Sequence, residues 1–112
     1  MHLHASLPVL GSLPWREWRR VFKVYEMQRI AGQTVAKAHE IIGKATKAAR
    51  TNKTELDKAR GLVRKAQWYW DFVAAENSMG FHNPTMVLNT LGRSIDLAHQ
   101  AITTVEKASG GR

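Results

Sequence analysis

The sequence contains no cysteine. That excludes disulfides, zinc–thiolate sites and covalent haem attachment through a C-x-x-C-H pattern. Proline occurs only at Pro8, Pro14 and Pro84, so residues 15–83 and 85–112 carry no proline break. No apolar run approaches the length that spans a membrane, and no segment alternates with the two-residue period of a strand. Catalytic patterns are missing too. His39-Glu40 lacks the second histidine of H-E-x-x-H, and there is neither a G-x-S-x-G nor a phosphate-binding glycine loop. Asp71 and Glu76 lie five apart, on different helix faces, which argues against a paired-carboxylate site. These absences argue against an enzyme acting alone.

What is present is basic and helical. The chain of 112 residues carries a net charge of +8, enough length for one domain with a modest core. Its charge is uneven: residues 1–65 hold fourteen Lys and Arg against five acids, and residues 66–112 hold three against four. The cations are spread through helical stretches rather than gathered in a block, so they read as a solvated face before a nucleic-acid stripe.

Residues 1–14 hold two of the prolines and show no periodicity, and are expected to be a disordered leader. Met1–Gly11 is a poor signal peptide, without a basic start and interrupted by Pro8 and Gly11. His2 and His4 form an H-x-H pair that is read as incidental at a chain end.

From Trp15 the pattern is helical to about Arg50. Val21, Val24, Gln28, Ala31, Val35, Ala38, Ile42, Ala45 and Ala49 step alternately by three and four, the spacing of a single buried stripe. Gln28 is its one polar member, and Gly32 and Gly43 lower local helix propensity. Thr51-Asn52-Lys53-Thr54 breaks the pattern, and Thr54 with Asp57 is read as a capping box. A second helix over about 54–75 carries the stripe Leu56, Ala59, Val63, Ala66, Trp70, Val73 and Asn77. A third over about 84–108 carries Leu88, Leu91, Ile95, Ala98, Ile102 and Val105. The expected fold is all-α, an elongated bundle of three heptad-patterned helices, with residues 15–112 as the helical domain. The first helix, roughly 50 Å long at the α-helical rise, should outreach its partners and leave part of its seam for another chain.

Between the second and third patterns lies Ala75-Glu76-Asn77-Ser78-Met79-Gly80-Phe81-His82-Asn83-Pro84. Gly80 permits a tight turn, and Asn83-Pro84 reads as N-cap and first helical position. His82 therefore sits between a turn and a fixed helix start, where an imidazole can be aimed. The residues alone leave open a plain exposed histidine. Upstream, Gln67-Trp68-Tyr69-Trp70-Asp71-Phe72 is the densest aromatic run. Trp70 belongs to the stripe, whereas Trp68, Tyr69 and Phe72 point elsewhere and are free to cover a second surface. Trp15 and Trp18, interspersed with Arg16, Arg19 and Arg20, could stack on nucleic-acid bases, although helix-end aromatics more often fasten a helix to its neighbour.

The run from Ala66 to Pro84, A-Q-W-x-W-D-F followed by A-E-N-S-x-G-F-H-N-P, resembles the C-terminal region of pentahaem, ammonia-forming cytochrome c nitrite reductases. Leu88, Leu91, Gly92, Ile95 and Ala98 continue the similarity, and Arg20-Val21-Phe22 and Ala36–Glu40 extend it upstream, over about residues 20–108. The resemblance implies periplasmic proteins that reduce nitrite to ammonia, with haem c and calcium as cofactors. No calcium site is identified on this chain. It further implies that these helices cover a haem-bearing core and form a homodimer interface. By the same resemblance, His82 matches the distal axial ligand of a bis-histidine haem, which makes it the metal- and cofactor-binding candidate. The family's haem-attachment motifs and active site lie upstream of this region and have no counterpart here, so the chain is expected to be a truncated or excised piece that is not catalytic alone. The competing expectation is a free-standing basic helical module that binds nucleic acid or an acidic protein.

Overall fold

In the computed structural model the chain forms three α-helices: α1 over Trp15–Lys47, α2 over Lys53–Ser78 and α3 over Pro84–Gly110. The structure describes residues 15–48, 51–78 and 83–110, without the side chains of residues 17, 77, 78 and 110. The leader 1–14 with its H-x-H pair, Ala49, and Gly80 and His82 of the connecting stretch lie outside the described residues. No strand occurs among the described residues. The bundle is a rod of 56 × 22 × 15 Å.

The three-and-four stripes of α1 and α2 become the core. Val21, Val24, Ala31, Val35, Ala38, Ile42 and Ala45 of α1 are all buried, as are Leu56, Ala59, Val63, Ala66 and Val73 of α2. Side-chain contacts fix the helix directions. Trp70 meets Gln28, and Arg60 meets Thr46, so α1 and α2 run antiparallel. Ser94 meets Ala66, and Ser109 near the end of α3 meets Thr51 just before α2, so α2 and α3 do as well. The core divides into two clusters. The larger is rich in alanine and joins the C-terminal half of α1, the N-terminal half of α2 and the C-terminal half of α3. The smaller, Val24, Ala31, Val73, Val87 and Leu91, lies toward the opposite end.

Three expectations are corrected. First, the stripe of α3 holds at Leu91, Ala98 and Val105, which are buried, but Val87, Ser94 and Ala101 take the other buried places, and Leu88, Ile95 and Ile102 beside them are only partly covered. α3 packs on both other helices, so its buried arc is wider than one seam, and a serine fits its centre because its hydroxyl donates to the Ala66 carbonyl at 2.8 Å. Second, α2 is capped by Asn52 rather than Thr54. The Asn52 side-chain oxygen accepts from the Glu55 backbone N–H at 3.1 Å, and its carbonyl accepts from Leu56 at 2.9 Å. Asp57 instead pairs with Lys53 and Arg60 along the helix surface. Third, the seam of α1 is not left spare, since every described member from Val21 to Ala45 other than half-buried Gln28 is buried within this one chain. Only the first turns of α1 project without a buried residue.

The α1–α2 corner explains why α1 stops at Lys47. The Ala48 N–H turns back to the Ala45 carbonyl at 3.1 Å, and the Thr51 hydroxyl donates to the same carbonyl at 2.9 Å. Thr51 thus satisfies the end of one helix and Asn52 the start of the next.

Candidate functional site

The antiparallel arrangement brings the N-terminal half of α1, the C-terminal half of α2 and the first turn of α3 to one end of the rod. Residues 79–82 bridge Ser78 and Asn83 at that end. His82, the candidate ligand, lies outside the described residues, whereas the Asn83-Pro84 helix start that follows it is described. The Asn83 side-chain oxygen accepts from the Met86 N–H at 3.0 Å, and its carbonyl accepts from Val87 at 3.0 Å. Asn83 is the N-cap, and Pro84 takes the first helical position, where its missing N–H has no intrahelical partner to lose.

The same end gathers the large apolar side chains that remain exposed: Trp15, Phe22, Trp68, Phe72 and Met86. Among the described residues none of comparable size is exposed at the other end. Trp68 is 61% exposed and stacks on Phe72 with ring centroids 6.0 Å apart and planes 15° apart. Tyr69 meets the Trp68 ring edge-on at 5.3 Å and carries the Arg93 guanidinium over its own face at 5.4 Å. The run Trp68–Phe72 is therefore divided as the sequence implies: Trp70 turns inward, and Trp68 and Phe72 form an outward aromatic ladder. The contact of Arg93 with Tyr69 was not expected. Its signal was the helix start at Pro84, which makes α3 the next helix to pack on α2.

Trp70 is half-buried and does more than fill space. Its indole N–H donates to the Gln28 backbone carbonyl at 2.8 Å, and its ring lies against Gly32. Gly32 is thus a contact point that admits the ring, a role its helix propensity alone does not reveal.

The other histidines of the helices stand apart from this end. His39 is exposed and meets the Gln67 side-chain oxygen at 3.2 Å, with the Gln67 amide N–H donating in turn to Asp71 at 3.0 Å. Because that amide orientation leaves Gln67 an acceptor toward His39, the imidazole nitrogen is the donor. His99 is exposed on α3. Among the described residues no group of three His, Asp or Glu side chains is placed to hold a metal ion, and no helix is long and apolar enough to cross a membrane. Burial raises the Tyr25 pKa, and the hydrogen bond from Lys53, with its charge, lowers that of Asp57.

The family model described as Cytochrome c552 matches residues 16–111. The match begins upstream of the region inferred from the motifs and takes in the basic, aromatic start of α1. Among curated relatives, the cytochrome c nitrite reductase subunit NrfA of Nitratidesulfovibrio vulgaris is 35% identical over 91 residues, covering 78% of this chain and 17% of the relative. Cytochrome c-552 of Aliarcobacter butzleri is 37% identical over 76 residues, covering 68% and 15%. Cytochrome c-552 of Bacteroides fragilis is 31% identical over 90 residues, covering 75% and 18%. The chain thus spans less than a fifth of the length of these relatives, and no solved structure matches it. With the capped Asn83-Pro84 start and the inward Trp70 in place, the motif residues and the family match agree: the chain belongs to the cytochrome c552 family and corresponds to the C-terminal region of a cytochrome c nitrite reductase.

Proposed function

We propose that this chain acts as the C-terminal helical unit of an ammonia-forming cytochrome c nitrite reductase and supplies His82 as a distal axial ligand to one electron-transfer haem. The observation that carries the reading is the coincidence at one end of the rod. His82 immediately precedes the Asn83 cap in sequence, and the stacked pair Trp68–Phe72 and Met86 are exposed toward the same end of the rod as that cap. An exposed stacked pair of this size leaves apolar surface that a flat macrocycle or the haem-bearing remainder of the protein would bury.

The described residues fit such a neighbour as a wall, without a covalent bond: the chain has no cysteine to attach haem. Haem c, when bound, supplies the iron through which electrons pass. The part of this chain is to present a neutral imidazole nitrogen from His82, to fix its direction through the Asn83-Pro84 helix start, and to keep water away with Trp68 and Phe72. Catalysis belongs to the remainder of the protein, and the working compartment of the assembly is the periplasm.

A homodimer through the long helices is part of the same reading. Because the α1 seam is consumed inside the bundle, such a dimer must use outward faces of α1 and α3. Sedimentation of a compact monomer at high concentration would count against it.

The ligand role is tested in a full-length family protein carrying this segment. His82→Ala should lower kcat for nitrite by slowing electron supply and leave KM nearly unchanged. A rise in KM at unchanged kcat would place His82 at the substrate instead.

A further inference from the structure

The first three turns of α1 carry a surface that the haem-ligand reading above does not use. Trp15, Trp18 and Phe22 recur at i, i+3 and i+7 and so form one strip along the helix. Trp15 is 72% exposed and Phe22 is 58% exposed, and the Trp18 ring stacks on Phe22 at 5.1 Å. Arg16, Arg20 and Lys23 recur at i, i+4 and i+7 on an adjoining strip, and Arg19 lies between the two. An open groove is lined by Arg16, Arg19, Arg20, Phe22, Lys23 and Glu26. The core-facing residues Val21 and Val24 occupy the opposite side, so this surface looks away from the bundle.

Helix stability does not account for it. Cations near a helix N-terminus oppose the macrodipole. None of the four has an ion-pair partner among the described residues, whereas Lys44, Lys53 and Arg60 do. Packing within this chain does not bury Trp15 or Phe22 either.

We propose that this segment is a peripheral docking surface for an anionic phospholipid bilayer. Arg16, Arg19, Arg20 and Lys23 meet the headgroup phosphates, and Trp15 and Phe22 enter the boundary between headgroups and acyl chains. The division into a cationic strip beside an aromatic strip is that of helices lying in a membrane interface, and indole rings favour that depth. A single-stranded nucleic acid would need open ring faces interleaved with cations, but Trp18 and Phe22 turn their faces to each other. An acidic polypeptide would pair with the cations and leave the rings in water.

The test is flotation of the full chain with vesicles of phosphatidylcholine and phosphatidylglycerol, against phosphatidylcholine alone, with tryptophan emission read in parallel. The chain should float with the anionic vesicles only, with a blue shift in emission, and should detach as salt rises. The combined variant Arg16→Gln, Arg20→Gln, Lys23→Gln and the double variant Trp15→Ala, Phe22→Ala should each weaken binding at least about tenfold. Lys65→Gln, an exposed cation on α2, should bind as the parent does. Failure of the parent chain to float, or variants that bind unchanged, would overturn the proposal. So would an oligonucleotide that binds more tightly than the vesicles and is lost in the same variants.

Discussion

The indole N–H of Trp70 donates to the backbone carbonyl of Gln28 at 2.8 Å, joining α2 to α1 near the end that bears the His82 bridge. The contact depends on Gly32, where a Cβ would come within 3.1 Å of the indole nitrogen. A hydrogen bond of this kind, half-buried and between helices, fixes the rotation of α2 and so directs Trp68 and Phe72 outward.

Trp70→Phe keeps a ring and removes the donor. It should cost about 1 kcal/mol in urea unfolding, the usual net value of one such bond. No change in the midpoint would show that the bond contributes nothing.

The two α1 glycines should respond with opposite balance. At Gly43 an added Cβ meets nothing within 4 Å, so Gly43→Ala should stabilise by about 0.8–1 kcal/mol through helix propensity. Gly32→Ala gains the same propensity but pushes on a rigid indole, and its net effect should be less favourable by about 1 kcal/mol or more. Thermal midpoints of the two variants compare them directly, and equal gains would contradict the Trp70 contact.

Ser94 is fully buried and its hydroxyl donates to the Ala66 carbonyl at 2.8 Å. Ser94→Ala should cost about 1 kcal/mol. Ser94→Val should cost more, about 1–3 kcal/mol, by overfilling the contact between α2 and α3. A stabilising Ser94→Val in chemical denaturation would show a void where the structure has none.

Asp57 gives the sign of the acid response. The Lys53 hydrogen bond and charge, with Arg60 second, lower its folded pKa below the ordinary value of 3.8. The group therefore adds stability above its unfolded pKa and loses it as pH falls through the folded one. Its carboxylate is solvent-exposed, so the effect is small. The Tm of Asp57→Asn should sit slightly below that of the parent at neutral pH and converge with it in acid. A gap that widens on acidification would reverse the assignment.

The helices and most of the core were legible because their signal is local periodicity. Val24, Val35 and Val63 lie where a three-and-four stripe puts them, and they are buried. The Asn83-Pro84 start was legible for the same reason, since cap chemistry is written in adjacent residues. What sequence pattern did not give was the choice between overlapping stripes in α3. Leu88 and Ile95 are more apolar than Ser94, yet Ser94 is buried, with its hydroxyl bonded to the Ala66 carbonyl of α2, and they are only partly covered. The Asn52 cap was missed, because Thr54 two positions on is also a capping residue type and only the hydrogen bond decides. The role of Gly32 depends on a residue 38 positions away, which no window along the chain contains. The candidate ligand was legible only through its motif, and its chemistry is decided by spectroscopy.

That measurement is electron paramagnetic resonance of a full-length family protein carrying this segment, compared with its His82→Ala, His39→Ala and His99→Ala variants. His82→Ala should convert one low-spin bis-histidine haem signal to a high-spin or water-ligated one, because one axial position loses its imidazole. His39→Ala and His99→Ala, on exposed helix faces, should leave every signal in place. An unaltered low-spin spectrum in His82→Ala would contradict the account.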